Sequence, residues 1–545
     1  MLRTSQSDSQ SSQDVTYINV RDRIIEPTTE IEKQSSFLID MVYTSDYRTT
    51  GVLEDFQLFI QLSIGLLNKK LITTYTSILT NPLQFLHQLL SNPFDSLLTQ
   101  DFTLFKSAIG YSRVRIDRRT TKDLVTRSGY EYECHSVPTD DGYIVHLHRI
   151  PNPSSFNITY FQHGALDNCA TWVLHGPHDG LAFKAREEGA RVTRACIYGH
   201  HLESEGCDVF LGNFRGNCPR EVEGWRKKQC YWEEVHLEGY AYRDLCAFIR
   251  RIREIKRDDL VRIYGELGIK CSKDQLERDL DKRLKITFVG HSLGGLTLFM
   301  YLIKKREQSL PHYINNAILL SPAGFHHETS AYLKFYNWLG ASILPFLSHS
   351  ISFPTYLIEL IQKVHQDLIT IPATRDLCSL LAQSLLGGKR TFSNQAVSNP
   401  HPIWKSALIM NSVFKFGLST NLCKQFYQMF GQEKNIIPQL ESKKGWTDWA
   451  ISKVWKTVLK VDEKISDVDL SEGYGLIDIP ISLFISMDDD LIKPTDVIKH
   501  YHNLKSNEKD VEVHLFEGFS HIDFTYASHH LIIEEFLKVL RQSFQ

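Results

Sequence analysis

The sequence predicts an α/β fold: a mostly parallel central sheet with helices on both faces and a helical cap or lid inserted into it. Three observations predict it. Apolar runs of strand length alternate with helical patterns along much of the chain. One run, with Ile286, Phe288 and Val289, leads straight into Gly290-His291-Ser292-Leu293-Gly294 and then into a long apolar-periodic segment. Residues 324–470 break this rhythm, being rich in Phe, Leu, Ile, Tyr and Trp and cut by Pro345, Pro354 and Pro372. A stretch of that length is too long for a loop, so it reads as an insertion.

Taken in order, residues 1–50 are dominated by Ser, Thr, Gln and Asp with little periodicity, which predicts a disordered N-terminal region. Residues 51–117 carry Leu, Ile and Phe at helical spacings, as in VLEDFQLFIQLSIGLLNKK and LQFLHQLLSNPFDSLL. Two readings stay open for them: helices that pack on the main domain, or amphipathic helices on a lipid surface. Neither stretch is an uninterrupted apolar run long enough to span a bilayer.

The core's first part covers residues 118–323. DGYIVHLHRIP alternates like a half-buried strand after an Asp-Gly turn, and ITYFQHG and CDVFLGNFRG are further strands. Residues 231–256 read as helix, 284–289 as strand, and INNAILLSP as the strand after the serine. The core's second part covers residues 471–545, with strands IPISLFISM and VEVHLFEG and a closing helix over 527–540. The insertion's apolar surplus is explained either as its own core or as the inner wall of a lid over the sheet edge that carries Ser292.

The chain has 545 residues, 42% hydrophobic and 23% charged, with a net charge of −3, so a globular type is expected and nucleic acid is not expected as the main partner. Ten scattered cysteines with no C-x-x-C pair suggest free thiols in a reducing compartment. Cys196, His200, His201 and Cys207 can be drawn as a metal site, but their spacing matches no standard zinc pattern, and no metal or other cofactor is expected. The N-terminus shows no apolar signal core. The expected location is therefore intracellular, either cytoplasmic or peripherally attached to a membrane or lipid droplet.

The chemistry concentrates at Ser292. A strand, a sharp turn and a helix with glycines at i−2 and i+2 would hold this serine in a strained conformation with its hydroxyl above the sheet edge. The Leu293 N–H would then sit at a helix N-terminus, able to face an oxyanion. A serine hydroxyl is a poor nucleophile unless a base takes its proton. His521, directly after the last strand, has the right intrinsic acidity, and a carboxylate on its other nitrogen would fix the tautomer. Three aspartates follow strand 479–487. Asp489, with Leu491 and Pro494 beyond it, fits the required spacing best, and Asp488 is second. A second oxyanion donor is expected at Ala165, after His163-Gly164. His163 reads as a structural hydrogen-bonder, Asp523 as a local orienting group, and His291 as pointing away from the elbow.

The chain order Ser292, Asp489, His521 is that of an α/β-hydrolase. FQHGALDNCATWV, LAFKAREEGA, DVFLGNFRGN, VGHSLGG, LLSPAGFH and HIDF, in this order, resemble the acid lipase family of α/β-hydrolases. That family includes gastric and lysosomal lipases and yeast steryl ester hydrolases, and plant and protist members look most alike. The resemblance spans about residues 118–540. It implies a serine hydrolase acting on neutral lipids, triacylglycerols or steryl esters, with Ser292 as nucleophile, Asp489 as acid, His521 as base, and Ala165 and Leu293 as oxyanion donors. Leu293 replaces the Gln of many animal members, and Ala165 replaces the usual Leu. Residues 191–206, RVTRACIYGHHLESEG, look inserted. Two other functions remain open: a lipid- or sterol-binding protein on the same fold without turnover, and an acyltransferase using the same triad.

Overall fold

A computed structural model describes residues 15–19, 119–193, 206–224, 231–343, 349–351, 417–438, 468–526 and 530–544. The segment 51–117, most of the insertion, and Cys196, His200 and His201 lie outside these residues, so the expectations placed on them are not addressed below.

The frame is a ten-stranded sheet. Its strands are β1 (Val15–Asn19), β2 (Glu133–Pro138), β3 (Tyr143–Ile150), β4 (Asn157–Gln162), β5 (Asp208–Asn213), β6 (Glu221–Val222), β7 (Lys285–His291), β8 (Asn316–Leu320), β9 (Ile481–Ser486) and β10 (Val511–Glu517). The spatial order is β1-β10-β9-β8-β7-β4-β5-β3-β2, with β6 paired to β3. From β1 through β5 every pairing is parallel; β3 then runs antiparallel to β5, β2 and β6. The seven strands read from the sequence all form, each within a few residues of its expected ends.

β1 was not expected. Residues 1–50 read as disordered, yet Val15–Asn19 add an edge strand parallel to β10, with Val15 opposite Val513. The VTYIN stretch is rich in strand-forming residues, and a partner from the far end of the chain supplies the ladder its neighbours in sequence cannot.

Helices cover both faces, as buried parallel strands require. One face carries α1 (Gly239–Asp244), a π-helical turn that continues into α2 (Leu245–Glu266), and α3 (Leu293–Glu307) after the serine. The other carries the helices Leu181–Thr193 and His530–Gln542. β7 shows why the run before the serine is continuously apolar: Ile286 and Phe288 join the core on the first face, and Val289 joins the core on the second. A polar helix, Lys273–Arg283, was not anticipated; Leu280 is its buried anchor and Ser272 caps its start.

Of the insertion, two helices are described, Ala331–Ser342 and Thr420–Met429, with short two-stranded ladders pairing 350–351 with 418–419 and 436–437 with 468–469. The insertion is fastened to the core through Gln425, whose Oε1 accepts the Leu237 N–H at 2.9 Å while its amide donates to Glu238 at 2.7 Å and to the Pro438 carbonyl at 2.9 Å. Among the described residues, no helix is long and apolar enough to cross a membrane.

Candidate active site

The parallel strands β4, β7, β8, β9 and β10 end on one edge of the sheet, and the loops leaving them build the site. Ser292 sits between β7 and α3 at φ 52° and ψ −115°, a region that L-residues rarely occupy. Its N–H donates to the Leu320 carbonyl at 3.0 Å, and its own carbonyl accepts the Ala323 N–H at 3.0 Å, so the loop after β8 clamps the turn from both sides. The flanking glycines are dictated by space. A Cβ on Gly294 would lie 2.6 Å from the Gln162 carbonyl oxygen at the end of β4, and a Cβ on Gly290 would lie 3.0 Å from backbone atoms of Gly294 and Gly295. Helix α3 is thus drawn close against the sheet, and Leu293 occupies its first turn, where an N–H has no partner within the helix.

His521 follows β10, and its Nδ1–H donates to Asp489 Oδ2 at 2.7 Å. The other oxygen, Asp489 Oδ1, accepts the N–H groups of Leu491 and Ile492, each at 2.8 Å. Both side chains are buried, at 1% exposure for Asp489 and 2% for His521. The two loops are zipped together by the backbone, Met487 N–H to the Phe516 carbonyl at 2.9 Å and Asp488 N–H to the Phe519 carbonyl at 3.0 Å. Of the three aspartates, Asp489 is the one that reaches the imidazole; Asp490 pairs with Lys493 at 2.5 Å, and Asp488 is only half-buried.

His291 departs from its expected orientation. Its Nε2–H donates to the His521 carbonyl at 3.0 Å, and the two rings lie 4.8 Å apart. The residue before the serine is therefore the one that seats the histidine loop. Burial holds His291 well below the usual imidazole range, with His521 adding to the fall, so it stays neutral as a donor.

The turn after β4 closes the site. A Cβ on Gly164 would stand 3.1 Å from the Ser292 Cβ, so Ala165 comes next to the nucleophile's own turn. His163 Nε2 accepts N–H bonds from Phe214 and from the Asn217 side chain, each at 3.2 Å, which leaves its proton on Nδ1, donated to the Gly164 carbonyl at 2.8 Å. Burial lowers His163 to about 4, so this tautomer persists at neutral pH. Because a planar trans peptide points its C=O and N–H in opposite directions, pinning the Gly164 carbonyl on one side turns the Ala165 N–H to the other.

A second tie escaped the sequence reading. Asp167, two residues past Ala165, accepts the Tyr526 hydroxyl at 2.6 Å, and Tyr526 lies five residues past His521. Burial pushes Asp167 up to about 7, against the lowering effect of the Tyr526 and Asn168 hydrogen bonds. Asp523 accepts both the backbone N–H and the hydroxyl of Ser520, at 2.6 and 2.8 Å, and so shapes the turn that presents His521.

The structure therefore gathers Ser292, Leu293, Ala165, Asp489 and His521 at one sheet edge. Chemically this is a hydroxyl on a strained turn, an imidazole held by a buried carboxylate, and two backbone N–H groups. Among the described residues, no group of three His, Cys, Asp or Glu is arranged to hold a metal ion.

Two family models match the chain: a partial alpha/beta-hydrolase lipase region over residues 121–176 and the alpha/beta hydrolase fold over residues 275–527. The curated protein Lipase lipl-5 of Caenorhabditis elegans is 26% identical over 228 residues, covering 40% of this chain and 45% of its own length. Human gastric triacylglycerol lipase is 24% identical over 271 residues, 48% of this chain and 56% of its own. The chain has the α/β-hydrolase fold and is similar to the acid lipase family. Its alignments with these two lipases span about half of their length. A solved thermophilic esterase from Thermogutta terrifontis aligns with 76% of this chain and all of its own at 11% identity and a TM-score of 0.37, too slight a likeness to carry an argument. The acid lipase motifs fall on the elbow, the β4 turn and the histidine loop just described.

Proposed function

We propose that this chain is a serine hydrolase that cleaves the carboxylic esters of neutral lipids, triacylglycerols or steryl esters, through an acyl-enzyme on Ser292. The observation that carries the reading is the buried Asp489–His521 pair, tied through His291 to the strained serine turn. His521 takes the Ser292 proton as the hydroxyl oxygen attacks the ester carbonyl. The carbonyl oxygen becomes an oxyanion that accepts hydrogen bonds from the Leu293 and Ala165 N–H groups. His521 then returns the proton to the departing alcohol, leaving an acyl-serine. Water, deprotonated by the same imidazole, attacks the acyl carbon and releases the fatty acid. Asp489 keeps the imidazole oriented and stabilises the imidazolium.

The lipid part of the reading is supported by the names of the two curated relatives, both lipases, and by the apolar composition of the insertion, which is joined to the core through Gln425. Such substrates are insoluble, so the protein would meet them at a membrane or droplet surface. The test is labelling of the purified chain by a fluorophosphonate, followed by hydrolysis of emulsified trioleoylglycerol and cholesteryl oleate. Labelling confined to Ser292 with release of oleate is expected. Sterol binding without labelling would favour a non-catalytic binder, and transfer of oleate to an added alcohol in place of release would favour an acyltransferase.

A further inference from the structure

His326 is buried at 4% exposure, and neither of its ring nitrogens has a hydrogen-bond partner among the described residues. Its position is specific. It lies three residues past Ala323, whose N–H holds the Ser292 carbonyl, and its own carbonyl accepts the Gly431 N–H from the insertion at 2.8 Å. The insertion's Phe426 and Phe430 meet its ring edge-on, with ring centres 5.7 and 5.5 Å away. Two residues on, the Glu328 N–H donates to Asp496 at 2.9 Å, on the helix that follows the Asp489 loop. The imidazole thus stands where the nucleophile loop, the acid loop and the insertion come together, against an aromatic wall. Burial brings it down to about 4, with Asp496 pulling the other way and His521 adding to the fall, so at neutral pH it offers one N–H donor and one lone pair. A leucine would fill this place without two polar atoms that go unmatched among the described residues, so the imidazole is a poor choice for packing alone.

We infer that His326 is a specificity-determining residue that hydrogen-bonds a second oxygen of the substrate, and that it selects acylglycerols over esters whose alcohol carries no further oxygen. This rests on the hydrolase reading above. The scissile carbonyl is already served by the Ala165 and Leu293 N–H groups. An imidazole set against the rings of Phe426 and Phe430 has nothing to recognise in a simple alkyl or steryl alcohol. A glycerol ester brings an adjacent ester or hydroxyl within a few bonds of the scissile oxygen. A pocket built to hydrogen-bond such a group rejects the analogue that lacks it, because its own polar atoms are then left unpaired.

The test compares kcat/KM of the full chain on dioleoylglycerol and on ethyl oleate, which share the acyl group, in the same mixed micelles. His326→Leu should lower the rate on dioleoylglycerol by about tenfold and leave ethyl oleate within about twofold, while His326→Gln, which keeps a donor and an acceptor, should recover much of the loss. Unchanged fluorophosphonate labelling of both variants establishes that the serine site is intact. An equal fall on both esters, or no fall on either, would overturn the inference. Cleavage of neither ester by the wild type would instead sink the hydrolase reading on which it stands.

Discussion

Asp489 Oδ2 and His521 Nδ1 lie 2.7 Å apart, although 32 positions separate them in the sequence. Two adjacent parallel strands deliver them: β9 ends just before the acid, β10 just before the base, and Ile485 pairs with Leu515 in register between them. With Asp489 Oδ1 occupied by two backbone N–H groups, its Oδ2 is left to orient the imidazole.

Replacing that acceptor tests the pair. Asp489→Asn keeps an oxygen for Leu491 and Ile492 but can present an amide to His521 and favour the wrong tautomer. A fall in kcat on the order of 10⁴ is expected, with the thermal midpoint little changed. Asp488→Asn and Asp490→Asn should stay within a few-fold of wild type, since neither side chain is on the imidazole. Steady-state hydrolysis of a long-chain fluorogenic ester reads all three, and equal losses at 488 and 489 would contradict the assignment.

The tautomer of His163 gives a second prediction. His163→Phe removes the Nδ1–H that pins the Gly164 carbonyl and strands the Phe214 N–H that donates to Nε2. The expected outcome is a drop in kcat of about 10–100-fold with KM nearly unchanged, since an oxyanion donor acts on the transition state more than on bound ester. A rise in KM at constant kcat would argue that this histidine serves substrate binding instead.

Gly294 is fixed by contact with backbone, which cannot swing aside as a side chain can. The added Cβ of Gly294→Ala would meet the Gln162 carbonyl oxygen at 2.6 Å. A loss of about 1–3 kcal/mol in urea unfolding is expected, together with lower activity as α3 is pushed from the sheet. Wild-type stability in this variant would mean that the helix is not held as tightly as described.

The Asp167–Tyr526 tie predicts a pH dependence. Burial raises Asp167 from 3.8 to about 7, so the folded chain holds this proton more tightly than the unfolded chain does. The stabilisation it contributes is complete below the unfolded value and is lost as pH rises through about 7. Asp167→Asn keeps an acceptor for the Tyr526 hydroxyl and has no proton to lose. Between about pH 5 and pH 7, wild type should therefore lose on the order of 2 kcal/mol more stability than the variant, read by urea unfolding at each pH. Parallel pH profiles would show that the carboxyl is ionised throughout.

Much of this architecture was legible in the chain. Parallel strands are buried on both sides, so they appear as unbroken apolar runs, and the elbow's glycines mark a place where two backbones must touch. What escaped was either non-local or polar. Val15–Asn19 gain their ladder from β10, nearly 500 positions on, which no local pattern announces. Lys273–Arg283 buries a single leucine, and its charged surface carries almost no helical stripe. His291 was misjudged because strand alternation says which face a residue takes but not what a later loop brings over it. No local pattern in the sequence singles out Asp167 or His326. Their importance lies in burial and in a partner hundreds of positions away for Asp167, and for His326 in ring nitrogens without a partner among the described residues.

The central claim is that Ser292 forms the acyl-enzyme, and the most direct measurement is the rate of long-chain ester hydrolysis by Ser292→Ala beside wild type, with circular dichroism to establish equal folding. The account predicts a loss on the order of 10⁴-fold or more, together with loss of fluorophosphonate labelling. A folded Ser292→Ala protein that hydrolyses the ester at the wild-type rate would contradict it.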